Sequence, residues 1–177
     1  MTVLPATTMP DQRPSEKPSK AEEVRQESND ELGERVVRLA FSGDRERYDR
    51  FVGTLREAIP PDVSVIVRGS AVTGTRWEDG AAFDADGPGS SDLDLTMIGG
   101  DMVKHFDVFY IPGLHSAPLS DAHPDASVVF VPLRRALTAI AQRPVTIQAT
   151  ADFVQYARDV VMSQPYFTVI AREAEAE

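Results

Sequence analysis

Asp92 and Asp94 occupy alternate positions at the start of an apolar run that ends at Ile98. Side chains two apart on a strand point to the same face, so these carboxylates would stand side by side. Like charges held that close repel, and a divalent cation is the commonest reason for the pairing. A second apolar run, residues 63–67, leads into Gly69-Ser70, and Ser70 precedes Asp92 by 22 positions. A glycine after a strand lets the backbone approach an anion with no Cβ in the way. Ser70 brings a hydroxyl and a backbone N–H, and donors that open a helix favour an anion. Gly74 allows a close turn or close packing behind it. The pattern is that of a phosphate cradle and an acidic metal seat delivered to one cleft by two neighbouring strands.

Those residues need elements to hold them. Leu32, Val36, Leu39 and Ala40 recur at helical spacing, and Gly43 ends the run. Asp44 reads as the N-cap of a second helix through Ala58, with Tyr48, Phe51, Val52 and Leu55 as its apolar face and Pro60-Pro61 as its stop. Residues 63–67 are rich in β-branched side chains and read as a strand. A short helix starts at Ser70, residues 77–91 form a loop, and residues 93–98 form the strand of the acidic pair. Residues 101–106 read as a helical turn, and residues 107–111 as a strand or extended segment. Residues 112–126, with Pro112, Pro118 and Pro124, form an active-site flap or a plain surface loop. Residues 128–131 look extended, residues 133–142 helical and residues 145–149 a strand. An amphipathic helix is expected over residues 151–163, with Phe153, Val154, Ala157, Val160 and Val161 apolar, and a last strand over residues 166–170. The expected class is α/β (α+β): a small mixed sheet flanked by helices.

Composition sets the limits. The 177 residues suffice for one compact domain. Residues 1–28 hold four of the thirteen prolines among many Ser, Thr, Glu and Lys, a composition unable to bury enough apolar surface to offset its ordering entropy. They are expected to be a disordered tail, residues 29–172 the domain and residues 173–177 an acidic end. The net charge of -10 argues against a broad surface that tracks long nucleic acid. It leaves room for a small nucleotide whose charge a metal neutralises. The chain has no cysteine, which removes disulfides, thiolate metal sites and cysteine nucleophiles. No apolar run approaches the roughly 20 residues that span a bilayer, and the start lacks a signal-peptide pattern, so no membrane and a cytoplasmic location are expected.

The Gly69-Ser70 turn after one strand, followed by Asp92-x-Asp94 on the next, resembles the catalytic core of the DNA polymerase β-type nucleotidyltransferase superfamily. The resemblance covers residues 63–98 well and the rest loosely. It implies a magnesium-dependent transfer of a nucleoside monophosphate from an NTP to a small molecule, a protein side chain or an RNA end. Asp92 and Asp94 would hold two magnesium ions, and Gly69 and Ser70 would bind the triphosphate. The acidic composition favours a small-molecule or protein acceptor. Small bacterial relatives often work beside a partner protein, including as antitoxins. Three departures stand out. Thr73 occupies a position where many members have arginine; Arg68 or Arg76 then contacts phosphate, or both are surface charges. Residues 77–91 look like an insertion. The later strand that should bring a third carboxylate has Gln148 instead, and Asp107 becomes the third acid if its segment pairs beside the Asp92–Asp94 strand; otherwise it is a surface aspartate. These departures also fit a catalytically impaired module that binds nucleotide or a protein partner.

The remaining residues carry less. Asp84, Asp86, Gly89 and Asp92 mimic a calcium loop, but Leu95 stands where that loop needs a bidentate Glu, so Asp84 and Asp86 are left only as extra ligands or negative field. His115 and His123 read as exposed loop residues or substrate contacts. Trp77 reads as a plug for a small core or as a stacking surface for a base.

Overall fold

A computed structural model describes residues 26–173. The expected tail lies outside them up to residue 25, as does the acidic end from residue 174. Ser28, the last residue assigned to the tail, belongs to the fold. Its hydroxyl accepts from the Glu31 backbone N–H while its own backbone N–H donates to the Glu31 carboxylate, a reciprocal cap on α1 (Asn29–Ala40). Asp44 accepts from the Arg47 N–H and starts α2 (Arg45–Ala58), as its sequence position predicts.

The chain continues through β1 (Ser64–Arg68), the single turn α3 (Ser70–Thr73) and β2 (Leu93–Ile98). After a 3-10 turn (Met102–His105) come β3 (Phe109–Ile111), β4 (His115–Ser116), α4 (Val131–Ala141) and β5 (Val145–Thr150). Helix α5 (Phe153–Tyr156) runs on as a π-helical turn (Ala157–Val161), and β6 (Phe167–Ile170) ends the fold. The six strands form one mixed sheet in the order β3-β4-β5-β2-β1-β6. β2 is antiparallel to β1 and parallel to β5. The α+β class expected from the sequence is the one observed.

The pleat divides the sheet chemically. Val65, Val67, Leu95, Met97, Val145 and Ile147 join Leu32, Val36, Phe51, Leu55 and Leu137 in one buried core under α1, α2 and α4. Burying an aliphatic side chain of this size stabilises by about 1.5–3 kcal/mol, so this face dominates the energetics. Arg68, Asp94, Thr96, Thr146 and Gln148 alternate with those residues and therefore line the other face. Part of that face is roofed by a second cluster, Ile66 with Tyr156 and Val161. The Tyr156 hydroxyl lies 2.7 Å from Thr96 Oγ1 and donates to Gln148 Oε1 at 3.2 Å. Gln148 Nε2 donates to the Ser116 carbonyl at 2.7 Å, so the amide is spent on this buried network.

Several local expectations give way to tertiary structure. Residues 112–126 are a surface loop only in part, with residues 121–125 exposed. They include β4, which pairs with β5, and Leu119, which exchanges backbone hydrogen bonds with Ile147. His115 is fully buried with Nδ1 2.8 Å from Thr150 Oγ1, not an exposed loop residue. Residues 128–130 turn into α4 rather than extend, leaving Val128 and Val129 exposed. The regular helix expected over residues 151–163 shifts to π geometry after Tyr156, and Val154 faces solvent instead of the core. Among the described residues, no helix is long and apolar enough to cross a membrane.

Candidate functional site

Asp94 lies between two partners in the sheet. Arg68 is its register partner on β1 and Thr146 on β5. The Thr146 hydroxyl donates to Asp94 Oδ1 at 2.6 Å. Oδ2 crowds Gly69, where a Cβ would come within 2.9 Å of it. Gly69 has φ 77° and ψ −157°, backbone territory that is essentially glycine's alone. The glycine is thus required twice, once by its own dihedrals and once by the carboxylate beside it.

Gly69, Ser70, Asp92 and Asp94 line one cavity of about 400 Å³, together with Arg68 and Arg76. That volume lies within the range of small-molecule sites. Asp92 stands at its rim, and no hydrogen bond or ion pair among the described residues engages its carboxylate. Loss of solvent on the cavity side pushes its carboxyl above the usual range, and the charges of Asp94 and Asp121 add to this while Arg134 opposes it. Two carboxylates thus share the cavity, one of them unpaired, and oxygen ligands of this kind could hold a hard cation. Among the described residues no third carboxylate or histidine completes a metal-binding cluster with them. Glu78 also lines the cavity from the 77–91 loop without closing such a cluster.

The loop of residues 77–91 that leads into Asp92 is firmly anchored. Arg143, buried after α4, donates from both terminal nitrogens to Asp84, at 3.0 and 3.1 Å. It also donates to the Ser91 carbonyl at 3.0 Å, and the Phe83 ring lies 4.6 Å from its guanidinium. Asp84 in turn accepts from the backbone N–H groups of Gly89 and Ser91. Burial works against the charged form of Asp84, but Arg143 and these two N–H groups outweigh it and hold its carboxyl at about 2. Neither Asp84 nor Asp86 lines the cavity, and each is paired with an arginine, the first with Arg143 and the second with Arg76.

Arg76 reaches the cavity, but it is already paired with Asp79 and Asp86. Arg68 has the more interior place beside Asp94, with Nη2 3.4 Å from Gln148 Oε1. Asp107 is not brought to the site. It is exposed just before β3, and β4 and β5 lie between β3 and β2. Both edges of β2 are taken by β1 and β5, so no room remains beside it for the Asp107 segment. The position level with Asp94 on β5 belongs to Thr146, two residues before Gln148. Only the parallel register of β2 on β5 picks it out; nothing in the run of residues 145–149 distinguishes it. Trp77, read from the sequence as a plug for a small core or as a stacking surface, is 68% exposed and lines the cavity, so it plugs no core.

Fold and site together define an α+β domain with an acidic cavity on the polar face of a mixed sheet. Comparison of the chain with family models, curated proteins and solved structures finds no match in any of the three.

Proposed function

We propose that the chain is a magnesium-dependent nucleotidyltransferase. It would take an NTP in the Gly69–Asp94 cavity and pass its nucleoside monophosphate to a small-molecule, protein or RNA-end acceptor in the cytoplasm. One observation carries this reading: the Gly69-Ser70 turn and both carboxylates face a single cavity, in contact at Gly69 and Asp94. In the transfer, an acceptor oxygen loses its proton to water and bonds to the α-phosphorus, the bond to the bridging oxygen breaks and pyrophosphate leaves. Ser70 offers its hydroxyl and backbone N–H to the triphosphate, and Arg68 adds positive charge from the cavity wall. Asp92 and Asp94 are the residues to hold magnesium, whose chemistry when bound is to neutralise charge on the entering and leaving oxygens. Thr146 keeps the Asp94 carboxylate oriented.

Thr146 also favours a second reading. A hydroxyl stands level with Asp94 where the resemblance calls for a third acid, which fits a module that binds nucleotide or a protein partner without transfer. A labelling experiment separates the two. The protein is incubated with labelled NTPs, magnesium and cell extract, beside the Asp92→Ala, Asp94→Ala double variant. Transfer that disappears in the variant supports the enzyme. Nucleotide binding without transfer supports the module. Identical behaviour of both proteins rejects any role for the two acids.

A further inference from the structure

We propose that the mouth of this cavity is a stacking slot for a nucleobase, built by Trp77 on one element and Met162 on another. The inference rests on the nucleotide reading above and adds what part of the nucleotide is gripped, and by what.

Trp77 is the single tryptophan of the chain, and it is 68% exposed. A lone exposed apolar side chain is ordinary. This one stands on a tight hairpin: Thr75 bridges Ala82, the Arg76 N–H donates to the Ala81 carbonyl at 2.7 Å, and the Gly80 N–H donates to the Arg76 carbonyl at 2.9 Å. The paired Arg76–Asp79 and Arg76–Asp86 charges brace the same hairpin. The indole is therefore carried on a firm support and is largely open to solvent where it lines the cavity.

The second wall is independent of the first. Val160 and Met162 line the same cavity from the π-helical turn and the residue after it. Such π turns recur at functional sites. Met162 is 51% exposed, with φ 48°, and Ser163 follows at φ 64°. Two successive non-glycine residues in left-handed geometry store strain of about 1–3 kcal/mol each, and such strain collects at ligand clamps. The thioether is a soft partner for a ring. The same cavity is lined by Arg68, Ser70 and Asp94, with Asp92 at its rim. Apolar side chains together with charged and hydroxyl-bearing ones match the two ends of a nucleotide. A stacked slot without a built hydrogen-bond code favours purines over pyrimidines through their larger ring area.

The test uses the full chain and its own indole as reporter. ATP, GTP, CTP and UTP with magnesium are titrated against tryptophan fluorescence, and ATP and inorganic tripolyphosphate are compared by calorimetry. All four nucleotides quench the emission, purines binding more tightly, while tripolyphosphate binds without quenching. Trp77→Ala weakens ATP binding about 5- to 150-fold and leaves tripolyphosphate unchanged, and Trp77→Phe restores most of the loss. Met162→Ala weakens ATP in the same selective way. Equal ATP affinity in wild type and Trp77→Ala overturns the slot and leaves the phosphate site standing. Failure of both ATP and tripolyphosphate to bind overturns the slot and the nucleotide reading together.

Discussion

Gly69 passes so close beneath Asp94 that a methyl group on it would lie 2.9 Å from the Oδ2 oxygen. The turn after β1 and the carboxylate on β2 are therefore one fitted unit. Gly69→Ala adds an unfavourable backbone conformation to that collision and is expected to destabilise the protein by about 1–3 kcal/mol. Asp94 must move to admit the methyl, so stabilisation by magnesium should fall as well. Urea denaturation with and without magnesium measures both. An alanine variant as stable and as magnesium-responsive as wild type would show that the turn and the carboxylate are not coupled.

Asp92 places function against stability. Its carboxyl is raised by desolvation and by Asp94, so the ionised form opposes folding. Whatever the group contributes to stability is present below its unfolded-state value and is lost as pH rises through the raised folded value. Asp92→Asn is thus expected to raise Tm at pH 7 in chelator, with the gain fading toward pH 3. Magnesium should stabilise the wild type by mass action and leave the variant little changed. Thermal scans across pH, with EDTA and then with magnesium, decide it; a lower Tm for the variant in EDTA contradicts the proposed repulsion.

Asp84 has the opposite sign. Its folded value of about 2 lies below the unfolded one, so its contribution is complete above about pH 5 and is lost as pH falls toward 2. Asp84→Asn also leaves the buried Arg143 with an uncompensated charge. The expected loss at pH 7 is about 2–4 kcal/mol, shrinking through that acid window. Because the Asp84–Arg143 pair holds the Ser91 backbone next to Asp92, nucleotide binding should weaken in parallel. Denaturation from pH 7 to pH 2 reads the window, and a loss that does not shrink with acid would refute the assignment.

Thr146 can be turned into a third acid beside Asp94. It is buried, and its hydroxyl points at Asp94. Thr146→Asp brings a like charge against that carboxylate and is expected to destabilise by about 2–4 kcal/mol in EDTA. Millimolar magnesium should restore much of this, because three carboxylates then share a cation. Equal destabilisation with and without magnesium would mean that no cation enters the cavity.

Much of this protein was legible along the chain. Period-3.6 patterns located α1 and α2, the Asp44 cap fell where its residue type predicts, and residues 93–98 match β2 throughout. Gly69, Ser70, Asp92 and Asp94 were recognisable together, because their chemistry is carried by spacing within two short segments. What tertiary structure decided was pairing. It seated Thr146, not Asp107 or Gln148, level with Asp94, and it joined Asp84 to Arg143 across 59 positions. It buried His115 inside the sheet and left Trp77 exposed where it lines the cavity. Local periodicity depends on a residue and its near neighbours, so sequence determines it directly. Which strand fills the free edge of β2 depends on competition among distant segments for the same backbone donors and acceptors, and only the folded chain resolves that competition.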